Sequence, residues 1–396
     1  MSAPVRCVGL GALFVAVPAC LTSFDPALLS GRGDAGAADA RVDSAPQELG
    51  LSVAVSQRVV AVVDKSGALF TRGANGAGQL GTPPNSELGA RVRVGDGYLR
   101  VAVGGTSNPH GCAIRRDRSL ECWGSNDDRE SGAPSGGVVA PPRRVGDGQD
   151  WLAVAVGRAF GCGLRGAGTI HCWGWAGAGR LGVTGIESSA EPIQPTARSG
   201  FKAIAAGDSF ACAIDAADAV ECWGENDFGQ LGGAVPTPGP APIAGPDGYA
   251  FLATGIAHAC AVRASGELFC WGDGRAGQLG GATSASTPVQ VGADADWSRV
   301  ACGETHTCAL KRDGRLYCFG AGARGQLGLL DVTQTAAPAR VGDRDDWVDV
   351  VAADQATCAV NRAGEISCFG DNGYGEIGDL GQADRYPRPT PLVFMP

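Results

Sequence analysis

Cysteine is the one reactive residue type whose spacing in this chain is regular. Of fifteen cysteines, twelve stand in six pairs with nine residues between partners: Cys112 with Cys122, Cys162 with Cys172, Cys212 with Cys222, Cys260 with Cys270, Cys308 with Cys318 and Cys358 with Cys368. Such pairs can bridge as disulfides, remain reduced structural thiols, or bind metal. Zinc wants Cys pairs two to four residues apart converging on one point, whereas these pairs recur about fifty residues apart. Disulfides are the preferred reading, each closing a short loop and contributing roughly 2–3 kcal/mol. The segment before the first pair supplies a control. Aligned on its Ser66-Gly67 turn, it carries Ala61 and Thr71 at the two cysteine positions, so both partners are missing together.

Other chemistry is sparse. His110, His258 and His306 each precede a first cysteine by two residues in different repeats, and with His171 they make the whole histidine complement. They are expected to bond backbone in turns rather than to share a metal. No Gly-x-Ser-x-Gly elbow, His-Glu-x-x-His pair or phosphate-cradling loop occurs. Acidic clusters precede Trp151, Trp297 and Trp347, but none completes an Asp-x-Asp-x-Asp-Gly calcium loop, and solvated turns are expected there. No catalytic residue, metal site or cofactor is expected. Seven of the eight tryptophans fall in repeat columns and should pack. Trp175 does not: it follows Trp173-Gly174 where other units place Ser125, Glu225 or Asp273. An off-column aromatic in a loop is a candidate contact for a partner.

The elements that hold these residues repeat with the cysteines. Each unit ends on a glycine-rich signature, from Gly78-Gln79-Leu80-Gly81 and Gly229-Gln230-Leu231-Gly232 to Gly375-Glu376-Ile377-Gly378, seven in all. An aromatic-glycine step precedes it, as in Trp223-Gly224 and Phe319-Gly320; the first unit has Arg72-Gly73. Fixed-period self-similarity marks a repeat fold. Short runs of small and β-branched residues, such as Leu152–Val156, are bounded by Gly, Asp and Pro and read as strands. About four strands per unit describe a propeller blade. The fold class is therefore all-β, a seven-bladed β-propeller over residues 48–396. Within the pair Cys308 and Cys318, a three-residue loop Arg312-Asp313-Gly314 sets Lys311 opposite Arg315 and brings the cysteines face to face. A non-hydrogen-bonded pairing with Cα atoms about 4.5 Å apart is expected.

Disulfides persist outside the reducing cytosol, which calls for an export signal. Arg6 precedes an apolar run, Val8–Val17, too short to span a membrane. Residues 1–19 read as a signal peptide. Val17-Pro18-Ala19-Cys20 resembles a bacterial lipobox that would be lipidated at Cys20, with ordinary cleavage after Ala19 as the competing reading; Leu21 then suggests the outer membrane. Residues 20–47, rich in Ala, Gly, Asp, Ser and Pro, read as a disordered tether. The one cysteine outside these assignments, apart from Cys7 in the signal, is Cys302. It sits in an inner-strand column with Val55, Val156 and Ala206 and is expected to be a buried, inert small hydrophobe.

The stretches His306–Gly328 and Cys222–Gly232 resemble the regulator-of-chromosome-condensation repeat, and the likeness extends over about residues 48–396. The cysteine-paired version resembles an exported bacterial branch. This resemblance implies a seven-bladed ring closed by strands from both termini, with Thr390–Phe394 supplying the strand that Leu51–Val55 lacks. Eukaryotic members exchange nucleotide on a small GTPase through a wedge inserted in one blade, yet the six cysteine hairpins here are equal in length. Chromatin binding wants a basic arm, whereas the net charge is −9, and −10 without Arg6. Nucleic acid is therefore excluded as a partner. Exported members include a propeller that inhibits β-lactamase purely by binding it. The leading expectation is a monomeric, non-enzymatic, lipid-anchored propeller of the cell envelope that binds a protein through one face. A glycan- or cell-wall-binding or hydrolytic module and a nucleotide-exchange factor are the alternatives.

Overall fold

The computed structural model describes residues 40–41, 50–233, 238–379 and 383–392. Seven blades of four antiparallel strands, each made from one contiguous stretch of chain, stand around a central channel, and one of the sheets gains a fifth strand. The first blade holds β2 (Ser52–Val55), β3 (Val59–Val63), β4 (Leu69–Gly73) and β5 (Ala90–Gly95). Blades two to six hold β6–β9 (98–144), β10–β13 (151–193), β14–β17 (203–242), β18–β21 (249–290) and β22–β25 (297–340). The seventh holds β26 (Trp347–Ala353), β27 (Ala356–Asn361), β28 (Ile366–Asp371) and β29 (Arg385–Pro391). Within the segment expected to be a tether, Ala40–Arg41 form a two-residue strand, β1, on the free edge of β14. The signal segment and Cys20 lie outside the described residues.

The seven-bladed all-β class is as the repeat implies; the mode of closure differs. β29 does not complete the first blade but pairs with β28, setting Cys368 opposite Thr390 and Asp371 opposite Arg385. Folding back on the strand just made closes a short loop, which costs less chain entropy than pairing with a strand some three hundred residues away. The ring is closed by side chains instead. Val53, Val55, Val60 and Val62 of the first blade pack on Val351, Ala356 and Val360 of the seventh.

The hairpin register follows the residue count. Cys308 faces Cys318, Lys311 N–H donates to the Arg315 carbonyl at 3.0 Å, and Gly314 takes the left-handed position with φ 82°. Where glycine is absent, Arg118 (φ 62°) and Asp218 (φ 64°) adopt that conformation. Six disulfides form at the expected pairs. They join Cys112 to Cys122, Cys162 to Cys172 and Cys212 to Cys222 in blades two to four. In blades five to seven they join Cys260 to Cys270, Cys308 to Cys318 and Cys358 to Cys368. The Cα separations, 4.1 Å between Cys162 and Cys172 and 4.0–4.1 Å across all six, are shorter than the expected spacing of about 4.5 Å for such a pair.

A recurring side-chain hydrogen bond ties each blade to the one before it. The indole N–H groups of Trp123, Trp173, Trp223 and Trp271 donate to the carbonyls of Gln79, Glu130, Arg180 and Gln230 at 2.9–3.0 Å. Phe319 and Phe369 have no such donor. There the hydroxyls of Thr307 and Thr357, directly opposite the two rings, donate to the Gln278 and Gln326 carbonyls at 2.8 and 2.9 Å. In the first blade Arg72 takes over, donating from Nε to the Gly375 carbonyl at 2.8 Å and pairing with Asp379 at 2.7 Å. Three side-chain types thus perform the same tie, because a buried carbonyl left without a donor is costly.

Candidate functional site: the loop face

Because strands alternate in direction, the links from first to second and from third to outer strand all open on one face of the ring. The cysteine hairpin turns and the links between blades open on the other. The two faces differ in chemistry. On the turn face, cations are matched by nearby carboxylates: Arg165 with Asp150 at 2.7 Å, Lys202 with Asp218 at 2.6 Å, Lys311 with Asp294 and Asp296 at 2.7 and 3.0 Å, and Arg344 with Asp346 at 2.8 Å. The acidic clusters before the tryptophans are therefore partners in ion pairs, beyond the solvated turns expected.

The loop face carries the apolar surface. Among the described residues, the exposed large hydrophobics are Leu88, Val138, Ile186, Phe228, Leu330 and Val332. Each stands in the link between the third and outer strands of its blade, or, for Val138, at the first residue of the outer strand. The sequence reading missed them, although large apolar residues in otherwise polar, glycine-rich links are a usable signal. Phe228 is braced by Arg275, whose guanidinium lies 4.8 Å from the ring while it binds Asp273 through two hydrogen bonds.

Trp175 ends β12 (Thr169–Trp175) on this same face. It is half-buried, with the Arg180 guanidinium 4.1 Å from its ring centre. Arg180 occupies the glutamine place of the Gly-x-Leu-Gly signature and is itself buried. Its Nε donates to the Gly177 carbonyl at 2.7 Å and its Nη1 to the Arg158 carbonyl at 3.0 Å. Burial and the neighbouring Arg158 bring its pKa down to about 10. Trp175 is thereby fixed beside the channel mouth.

The mouth itself is charged. Arg158 pairs with Asp208 at 3.4 Å, Gln355 donates to Glu304 at 2.8 Å, and Asp354 accepts the Gln57 N–H at 2.6 Å. Burial, with repulsion from Glu304 and Asp208, lifts the Asp354 carboxyl to about 6 despite that hydrogen bond. Carboxylates and arginines thus alternate around the mouth, with Arg58 acting on Asp354 and Arg158 and Arg180 beside Asp208.

The histidines are strand residues rather than turn residues. The His258 and His306 Nε2 atoms lie 3.0 and 2.8 Å from the Thr307 and Thr357 hydroxyls of the following blade, so a neighbouring side chain replaces the expected backbone partner. Only His110 and His171 meet nearby carbonyls, those of Asn108 and Thr169. Burial lowers His258 to about 4 and His306 to about 3, which keeps both neutral. His258, Cys260 and Cys302 approach within 4.8 Å of one another, but Cys260 is bonded to Cys270 and offers no thiolate. Cys302 is buried and unbridged, as its column implies. No described helix is long and apolar enough to cross a membrane.

Profiles of the regulator of chromosome condensation (RCC1) repeat match residues 265–310 and 313–360, and a second RCC1 profile matches 201–230, 250–278 and 297–326. A comparison with curated proteins finds no match. Among solved structures, human WBSCR16 is similar with a TM-score of 0.73 at 20% identity, over 83% of this chain and 95% of that one. Prp20p from Saccharomyces cerevisiae, studied for its binding to Gsp1p and histones, gives 0.68 at 20% identity over 80% and 83%. Yeast RCC1 (Prp20) bound to Kap60 gives 0.66 at 20% identity over 75% of each chain. At these identities the likeness carries the fold alone. With these matches, seven recurrences of one signature and the propeller they build, the chain carries RCC1 repeats within residues 201–230 and 250–360 and has an RCC1-like propeller fold.

Proposed function

We propose that this protein is an exported, lipid-anchored scaffold that binds a protein partner on its loop face and performs no catalysis. The observation that carries this reading is the segregation of exposed apolar side chains to one face. Leu88, Val138, Ile186, Phe228, Leu330 and Val332 lie on the face that holds the charged mouth, while the opposite face spends its charges on internal pairs. Apolar contacts around a charged centre match the anatomy of protein interfaces. A half-buried tryptophan braced by arginine is the kind of rigid anchor on which binding energy concentrates. Similar propellers bound to Kap60 or studied for binding to Gsp1p engage proteins, which is consistent with this reading. Six disulfides favour an oxidising compartment, and Cys20 is the proposed lipid attachment point.

Photo-crosslinking in cells with an intact envelope tests the face. A reactive residue at Ile186 or Phe228 should yield one discrete protein adduct that Trp175→Ala weakens, and the same residue at Arg312 on the turn face should yield none. Equal adducts from both faces would sink the proposal, as would hydrolysis of cell-wall glycans by the purified propeller. In the same cells, palmitate labelling should disappear in Cys20→Ala; equal labelling would remove the anchor.

A further inference from the structure

Six of the seven blades begin with an aromatic residue that packs on the blade before: Tyr98, Trp151, Phe201, Tyr249, Trp297 and Trp347, all at most 3% exposed. Their backbone N–H groups donate to the preceding hairpin turn, as Trp347 does to the Gly314 carbonyl at 3.1 Å. In the first blade, Ser52 faces Val63 as Asp349 faces Val360 in the seventh. Two residues earlier, where the seventh blade has Trp347, the first has Gly50. Among the described residues, the seam between the seventh and first blades is the one without a ring at this position.

Among the described residues the consequence is a void. Behind Trp347, Leu316 and Val341 are fully buried, at 0% and 1% exposure. Their counterparts at the ringless seam, Ile366 and Leu392, are joined by the equivalent backbone bond of 2.9 Å but are only half-buried. Between them and Leu51, Val62 and Phe70 lies an open cavity of about 400 Å³. It is continuous with the packed core of the blade interface. An apolar cavity of roughly 150 Å³ already admits benzene.

We propose that this cavity binds a small, uncharged aromatic molecule of indole or phenol size, which takes the place of the missing ring. The occupant's chemistry follows from the six equivalent seams, all filled by Phe, Tyr or Trp. Its neutrality follows from the rim. Arg344 there is held by Asp346 through two hydrogen bonds, and Asp64 accepts from Ser66 and Ala68. Glu365, the third charged group of the lining, accepts from the Asn361 amide at 2.6 Å, so none of the three awaits a counter-ion. The site opens on the turn face and does not depend on the loop-face reading.

Indole is the probe, with the full-length mature protein and the unfolding temperature and saturation-transfer NMR as readouts. Wild type should bind indole saturably and unfold at a higher temperature in its presence. Leu392→Trp, which places a ring in the cavity, should weaken indole binding by at least about tenfold while remaining folded. Gln149→Ala, elsewhere on the turn face, should bind as wild type does. Crystals soaked in bromoindole should show bromine between Leu51 and Leu392. No saturable binding by wild type overturns the proposal, as does binding undiminished in Leu392→Trp. Phe394, two residues beyond Leu392 in the sequence, is the competing source of a ring. If Phe394→Ala binds indole and wild type does not, the chain supplies its own occupant and the proposal fails.

Discussion

Position 376 carries a carboxyl where Gln79, Gln230, Gln278 and Gln326 carry an amide. The glutamine oxygens accept a backbone N–H two residues upstream, as Gln230 does from Phe228 at 2.8 Å. Glu376 keeps that bond, accepting from the Tyr374 N–H at 3.0 Å through Oε2, but its buried Oε1 has no hydrogen-bond partner. Burial, with a smaller contribution from Asp371, raises its pKa from 4.5 to about 8. The folded protein thus keeps a proton that the unfolded chain gives up near pH 4.5. Folding binds the proton across that window, so stability is fully present below the lower value and is lost as pH rises towards the upper. Glu376→Gln restores the amide and removes the loss. Denaturant titrations at pH 6 and pH 9 should show wild type losing roughly 2–3 kcal/mol more than the variant between the two. Parallel losses would mean that the carboxyl is ionised and satisfied in the fold.

Between neighbouring elements, the tie to the preceding blade trades one side chain for another as a unit. Where tryptophan donates, the residue opposite is small: a Cβ added at Gly111 or Gly161 would lie 2.7 or 2.5 Å from the ring of Trp123 or Trp173. Where phenylalanine stands, threonine fills that space, makes the bond, and also meets the histidine of the preceding blade. Thr307→Ala leaves the Gln278 carbonyl and His258 without their hydroxyl and should cost about 2–4 kcal/mol. Phe319→Trp alone should destabilise by crowding Thr307. The double variant should recover at least about 1 kcal/mol of the summed losses in a denaturation cycle; strict additivity would refute the coupling. This trade was not legible in the sequence, because it requires knowing that a residue in one blade meets a carbonyl in the last. What was legible is local. The register of each cysteine pair follows by counting from Asp313-Gly314, since a hairpin turn dictates its own pairing. The strand expected from Thr390 onward to complete the first blade pairs at Thr390 and Pro391 within the seventh, where the loop to close is shorter. Trp175 was visible as an outlier in its column. Leu88, Phe228 and Leu330 stand in links that have no period, so their one signal is an apolar side chain in a polar, glycine-rich link.

Over the whole ring, stability is a sum of seven blades and seven seams, and one of each is weaker than the rest. The first blade lacks a disulfide, and the seam it makes with the seventh lacks a ring. Ala61 and Thr71 face each other as Cys112 and Cys122 do in the second blade, and both are fully buried. A pair of cysteines at 61 and 71 would therefore meet without moving the backbone, at the loss of the Thr71 hydroxyl's bond to the Leu80 carbonyl at 2.8 Å. Bridging constrains the unfolded chain by roughly 2–3 kcal/mol, and the lost hydrogen bond returns about 1 kcal/mol of that. The net gain should be read as the difference between oxidised Ala61→Cys/Thr71→Cys and wild type in chemical denaturation. Hydrogen exchange locates it. In wild type the amides of β2–β4 should exchange faster than those of β22–β24, because a ring opens where its blade and its seam are least constrained. In the bridged variant that contrast should shrink. Equal exchange in the two wild-type blades, or a bridge that changes neither rate nor midpoint, would mean that Arg72 and the valines of the first blade already hold the seam as firmly as any other.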